Sequence, residues 1–77
     1  MNMEQEFKKI VSQYCQVKAE DITNEMRFRE DLGFSSLDFM AFLGELEDTF
    51  EIELEEEEVL QILTVKEALD LLEQIEE

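Results

Sequence analysis

The spacing of apolar side chains constrains this chain most strongly, because it repeats at helical intervals and nowhere alternates as a strand between turns would. The first periodic segment runs from Glu4 to Cys15. Its apolar residues stand three or four positions apart, at Phe7, Ile10, Val11 and Tyr14. That spacing places them on one face of an amphipathic helix. The same pattern recurs along the chain and predicts an all-α domain.

A second helix is predicted from Ser35 or Ser36 to about Phe50. Ser35 is followed three residues later by Asp38, which resembles a capping box with the shorter acid. Ser35 is therefore the expected N-cap, and Ser36 lies in the first turn, where capping does not use its hydroxyl. One stripe of the helix is the expected core face. Its residues are Phe39, Phe42, Leu43, Leu46 and Phe50.

The opposite side of the second helix is also partly apolar, which is unusual for a surface helix. Its residues are Leu37, Met40, Ala41, Gly44, Asp48 and Glu51. Three further acids flank the two stripes: Asp38, Glu45 and Glu47. A covering loop or short helix would account for this face, and so would a partner groove with an acidic rim. The pattern alone favours neither interpretation.

The remaining segments predict a long loop and two more helices. Residues 17–33 show no sustained period, and five spaced apolar side chains should pin this loop to the core: Val17, Ile22, Met26, Phe28 and Leu32. A short third helix is expected around residues 56–62, where the acidic run is typical of a solvated helix start rather than a metal site. Thr64 and Glu67 form a capping box that begins the last helix. Its stripe comprises Val65, Ala68, Leu69, Leu72 and Ile75.

Charge and composition exclude several classes of function. The chain has 22 acids and 6 bases, a net charge of -16, so it should repel nucleic acid and anionic membranes and remain a monomer. It has no histidine and one cysteine, Cys15, an expected half-buried residue of the first helix. This excludes an internal disulfide, a Cys/His zinc site and Ser-His-Asp or Cys-His catalysis within the chain. With no signal-peptide pattern and no apolar run of roughly 20 residues, a cytoplasmic location is expected.

The stretch EDLGFSSLDFMAFLGELEDTFEIEL, residues 30–54, resembles the acyl carrier proteins. That family has the pattern E-D-L-G-x-D-S-L-D, followed by L-E-x-x-F. Residues 17–33 are similar to the family's first loop, and TVKEALDLL, residues 64–72, is similar to its last helix. The resemblance therefore covers nearly the whole chain. It implies one free-standing acyl carrier domain over residues 1–77, a small four-helix bundle with a long first loop and a short third helix.

The resemblance also implies a role for the second serine. In this family the serine of D-S-L carries 4'-phosphopantetheine, which a phosphopantetheinyl transferase moves onto it from coenzyme A. That position is Ser36 here, and Ser35 replaces the family's aspartate. The thiol of the arm holds acyl groups as thioesters for enzymes of fatty-acid, related lipid or polyketide biosynthesis. The resemblance implies no catalytic residue and no metal ligand.

Partners implied by the resemblance are the transferase and acyl-loading, condensing and modifying enzymes with basic docking patches. The expected contact residues are Leu37, Asp38, Met40, Ala41, Glu45, Glu47 and Asp48. Ala41 and Gly44 stand where the family often has an acid and a larger apolar residue, which hints at a pathway-specific carrier. The alternative is an unmodified acidic adaptor that shares the fold and binds a basic partner.

Overall fold

The structure is a computed structural model that describes residues 2–76, with the side chains of residues 2–75. Its four helices are α1 (Met3–Ser12), α2 (Ser36–Phe50), α3 (Glu56–Val59) and α4 (Val65–Glu76). Within residues 2–76 there is no β-strand, only one isolated antiparallel bridge between Arg27 and Thr64. The prediction of an all-α fold with four helices, a long first loop and a short third helix is confirmed.

Reciprocal side-chain caps begin α1 and α4. In α1, the Asn2 side chain accepts the Gln5 N–H at 2.8 Å, and the Gln5 side chain accepts the Asn2 N–H at 3.3 Å. In α4, Thr64 Oγ1 accepts the Glu67 N–H at 3.2 Å, and Glu67 Oε1 accepts the Thr64 N–H at 2.9 Å. Each pair satisfies two backbone donors that a helix start leaves free. The predicted capping box of α4 is confirmed.

The first helix is shorter than predicted, since it ends at Ser12 and not at Cys15. The N–H groups of Gln13 and Tyr14 each donate to a carbonyl three residues back, at 3.1 Å. Such bonds tighten the last turn and end the α-helical pattern. Cys15 therefore lies half-buried in the turn after α1 and not on the helix, which corrects the prediction.

The third helix is also shorter, because it ends at Val59 and not near Ile62. The N–H groups of Gln61 and Ile62 donate to carbonyls three residues back, at 3.3 and 3.1 Å. This turn brings Ile62 into the core, where only 9% of its surface is exposed. Leu60, in the same turn, remains 74% exposed.

The first loop also contributes side chains to the core. Ile22, Phe28 and Leu32 are buried, and Val17 and Met26 pack half-buried against the same cluster. The prediction that apolar side chains pin this loop is confirmed. The loop is not structureless, however: one turn of 3₁₀ helix spans Ala19–Asp21.

Phe42 of α2 lies at the centre of an aromatic cluster. Its ring centroid is 5.4 Å from that of Phe28, 5.7 Å from that of Phe34 and 5.8 Å from that of Phe7. Edge-to-face and tilted pairs at these distances are favourable. Phe42 is fully buried, and Leu46, one turn further on, is 2% exposed. The predicted core face of α2 is therefore correct, and it fixes the rotation of the helix about its axis.

Two further observations concern the helices and the acidic side chains of the described residues. None of their helices combines the length and the apolar character needed to cross a membrane. Over the same residues, no group of three or more Cys, Asp or Glu side chains is arranged to hold a metal ion.

Candidate functional site

Ser36 is the first residue of α2, directly after the helix cap. Ser35 Oγ accepts the Asp38 N–H at 3.1 Å, and the Asp38 carboxylate accepts the Ser35 N–H at 3.0 Å. Gly33 precedes the cap with a φ of 74°, a left-handed conformation that glycine adopts without strain. The predicted capping box is confirmed. It uses the Ser35 hydroxyl, while the exposed Ser36 hydroxyl stays outside it.

A groove of about 350 Å³ opens beside Ser36, between α2 and the segment around residues 59–63. Phe39 and Leu43 line it from α2. Four exposed apolar side chains lie at or next to it, and we call them the apolar rim: Leu37 (79% exposed), Met40 (68%), Leu60 (74%) and Leu63 (66%). No described loop or helix covers Leu37 and Met40. The structure therefore argues against the covering segment that the sequence left open and is compatible with a partner groove.

Two of the expected contact acids are bonded within the chain, Asp38 in the predicted cap and Glu47 in a bond that was not predicted. Asp38 caps α2, and Glu47 accepts the Leu54 N–H at 2.9 Å. Both side chains are half-buried, which corrects the expectation that they are exposed. Asp48 is exposed, as expected. A partner would therefore find Asp48 more accessible than either of the other two carboxylates.

Glu45 is held by a residue from outside its helix. The Tyr14 hydroxyl donates to Glu45 Oε1 at 2.7 Å and lies 3.4 Å from the carbonyl oxygen of Ala41. The hydrogen bond to Glu45 raises the pKa of Tyr14, because removing the proton would place two anions together. Glu45 is half-buried and not fully exposed as expected, whereas Ala41 is exposed.

Two arginines precede the cap and differ in their surroundings. Arg27 Nε donates to Asp31 at 3.1 Å, and its terminal nitrogen donates to Glu30 at 3.3 Å. The side-chain hydrogen bond from Arg27 lowers the pKa of Asp31. Arg29 is exposed and lines the groove together with Ser36. Among the described side chains, none forms an ion pair with Arg29.

Sequence reasoning did not identify Leu60, Leu63 or Arg29 as part of this surface. One signal for the leucines was present: the short third segment carries more apolar residues than a single turn of helix can bury. No comparable signal exists for Arg29, because its position beside Ser36 depends on how the first loop folds back onto α2.

Comparisons with known proteins show the family to which this chain belongs. A family model described as the phosphopantetheine attachment site matches residues 5–72. The structure of an acyl carrier protein from Enterococcus faecalis superposes with a TM-score of 0.80 at 32% identity, covering 94% of this chain and 91% of that one. This chain belongs to the acyl carrier protein family.

Two further carriers show the same likeness. The acyl carrier protein from Thermotoga maritima has a TM-score of 0.77 at 30% identity, over 96% of this chain and 92% of its own. A Mycobacterium tuberculosis protein assigned as an acyl carrier protein has a TM-score of 0.83 at 28% identity, over 90% of this chain and 92% of its own. The family resemblance seen in the sequence is confirmed. Carriers of this family are not enzymes themselves, bear phosphopantetheine and interact with enzymes of acyl metabolism.

The start of α2 fits this prosthetic group. A serine hydroxyl at the first position of a 15-residue helix is exposed, and the free N–H groups of the first turn favour a phosphate there. The adjacent groove is largely apolar and open to solvent. Both features suit an arm with an anionic end and a less polar stem.

Proposed function

We propose that Ser36 carries the 4'-phosphopantetheine arm, and that this carrier delivers acyl groups to the enzymes of a dedicated fatty-acid, related lipid or polyketide pathway. One observation carries the residue assignment. Ser36 is exposed at the first position of α2 beside the groove, whereas the neighbouring Ser35 is occupied in the cap. The replacement of the usual acid and larger apolar residue by Ala41 and Gly44 supports a dedicated set of partners.

The chain's own residues would hold the base of the arm and offer its cargo an apolar surface. When bound, the arm supplies a terminal thiol that holds the acyl group as a thioester. The cap formed by Ser35 and Asp38 holds the backbone next to Ser36, and it would orient the attached base of an arm bound there. Phe39 and Leu43 offer apolar walls along which the arm or a bound acyl group can lie. Tethering keeps the cargo at a high effective concentration at a docked enzyme.

Partner enzymes should dock on the outer side of α2 and on the apolar rim. Leu37, Met40 and Ala41 supply exposed contacts, and Met40 can adapt its shape to different partners. Asp48 is an accessible acid of this surface, while Asp38, Glu45 and Glu47 contribute mainly through the field of a chain with net charge -16. Such a field steers basic patches of the transferase and of acyl-loading, condensing and modifying enzymes.

The alternative is an acidic adaptor that is never modified. The observation that favours it is Ser35, which replaces the aspartate that the family has beside the attachment serine. Without that aspartate, recognition by the transferase would be weaker. The exposed rim and the negative charge would suit a basic protein partner equally well.

Intact mass after incubation with coenzyme A and a phosphopantetheinyl transferase separates the two functions. We expect the mass to rise by one arm, and the loaded protein then to accept an acyl group that hydroxylamine removes, as it does a thioester. The Enterococcus faecalis carrier, treated in the same way, is the positive control. An unchanged mass under conditions that load this control would favour the adaptor.

A further inference from the structure

The groove beside Ser36 contains one positive charge among the described residues that line it. Arg29 lies on this lining, with Glu30 as the neighbouring acid. The chain has only six bases and 22 acids, so a cation is uncommon on its surface. Arg29 is therefore the side chain of the described groove lining that would attract an anionic ligand.

The acids nearest in sequence to Arg29 are already paired. Glu30 bonds to Arg27 at 3.3 Å, and Asp31 accepts both the side chain of Arg27 at 3.1 Å and its backbone N–H at 2.7 Å. Arg27 thus pairs with both carboxylates, and its single charge balances one of the two. No described side chain forms an ion pair with Arg29, and its exposed side chain is free to meet an added anion.

We propose that Arg29 binds the phosphodiester that joins the arm to Ser36, an inference that rests on the proposed attachment at Ser36. A guanidinium group presents paired N–H donors that match two phosphate oxygens. The N–H groups at the start of α2, apart from that of Asp38, which donates to Ser35 Oγ, favour an anion at the same place. Arg29 and the helix start would then hold the phosphate from two sides and orient the base of the arm across the groove.

Arginine side-chain NMR on the wild-type protein tests this contact directly. The chain has two arginines, and Arg27 is the internal reference because Asp31 and Glu30 hold it with or without the arm. We expect the Nε–Hε resonance of Arg29 to shift when the arm is attached, and that of Arg27 to stay in place. Raising NaCl from about 0.02 to about 1 M should reduce the shift, because the screening length falls from roughly 20–30 Å to about 3 Å.

Phosphorus NMR of loaded variants gives a second readout. Arg29→Gln removes the proposed contact, and Lys9→Gln removes the same charge from an exposed position of α1 outside the groove. We expect the phosphodiester resonance at low salt to move in Arg29→Gln and to remain at the wild-type position in Lys9→Gln.

Each outcome has a distinct meaning. If the wild-type protein gains no mass with the transferase, the attachment at Ser36 fails, and the proposal for Arg29 fails with it. If the arm is attached but the Arg29 resonance is the same with and without it, only the Arg29 contact is wrong. Equal phosphorus shifts in the two glutamine variants would also contradict it.

Discussion

Phe42 and Met40 stand two positions apart on α2, yet one is fully buried and the other is 68% exposed. Phe42→Ala should lower the free energy of unfolding by about 3–5 kcal/mol, because it empties the centre of the aromatic cluster. Met40→Ala should change it by no more than about 0.5 kcal/mol. Urea denaturation followed by circular dichroism measures both. If Phe42→Ala left the stability unchanged while Met40→Ala unfolded the protein, the assignment of the buried face of α2 would be wrong.

At the residue scale, the helical period sufficed to place Phe42 and Met40, because burial on a helix follows the spacing of its apolar residues. It could not place Glu45 and Glu47. Their partners, the Tyr14 hydroxyl and the Leu54 N–H, come from outside α2. The helical spacing of residues within α2 contains no information about contacts from other segments, so both acids were expected to be exposed.

The ionised Glu67 carboxylate makes the stability of the start of α4 depend on pH. Hydrogen bonds from the N–H groups of Leu63 and Thr64 lower its pKa from the ordinary value of 4.5. Because the folded-state pKa lies below the unfolded one, the carboxylate stabilises the fold above about pH 4.5, and this contribution is lost as pH falls through the folded-state pKa. Glu67→Gln should therefore lower the melting temperature near pH 7, and the deficit should disappear in acid.

Thermal melts between about pH 7 and about pH 3 check this expectation. Glu73→Gln is the matched control, since it removes an acid from an exposed position of the same helix. A deficit for Glu67→Gln that stays constant across the whole range would contradict the role of the ionised cap.

At the element scale, the helix starts and the end of α2 at Phe50 were predictable, whereas the ends of the first and third helices were not. Starts carry side-chain caps that the sequence displays, such as Ser35 and Thr64. Ends often carry glycine or proline, but this chain has no proline, and neither Gly33 nor Gly44 follows a helix. Even α2 ends in a left-handed residue that is not glycine, Glu51, with a φ of 53°. No glycine or proline marks the ends of the first and third helices in the sequence, so both helices were predicted too long.

The whole molecule carries a net charge of -16 on 77 residues. Mutual repulsion of its acids opposes folding at neutral pH and low salt. We expect added NaCl, or millimolar magnesium or calcium, to raise the melting temperature through screening and diffuse binding. Differential scanning calorimetry measures this, and a melting temperature indifferent to both would show that repulsion does not limit stability.

The same charge should set the rate at which partner enzymes dock. Asp48→Lys should slow loading by the transferase more at low salt than at high salt, because an exposed acid acts mainly on the encounter rate. Glu73→Lys makes the same charge change on α4 and should slow loading less. Asp38→Lys and Glu47→Lys are poorer probes, since they also break backbone hydrogen bonds. Equal slowing by Asp48→Lys and Glu73→Lys would argue against docking on α2.

The most direct test of the central claim compares two adjacent serines. Ser36→Ala and Ser35→Ala proteins are incubated with coenzyme A and the transferase, and their intact masses are followed over time. We expect Ser36→Ala to gain no mass. Ser35→Ala should still gain one arm, more slowly, because loss of the cap loosens the start of α2 by about 0.5–2 kcal/mol. A Ser36→Ala protein that still gains the arm would show that Ser36 is not the attachment residue.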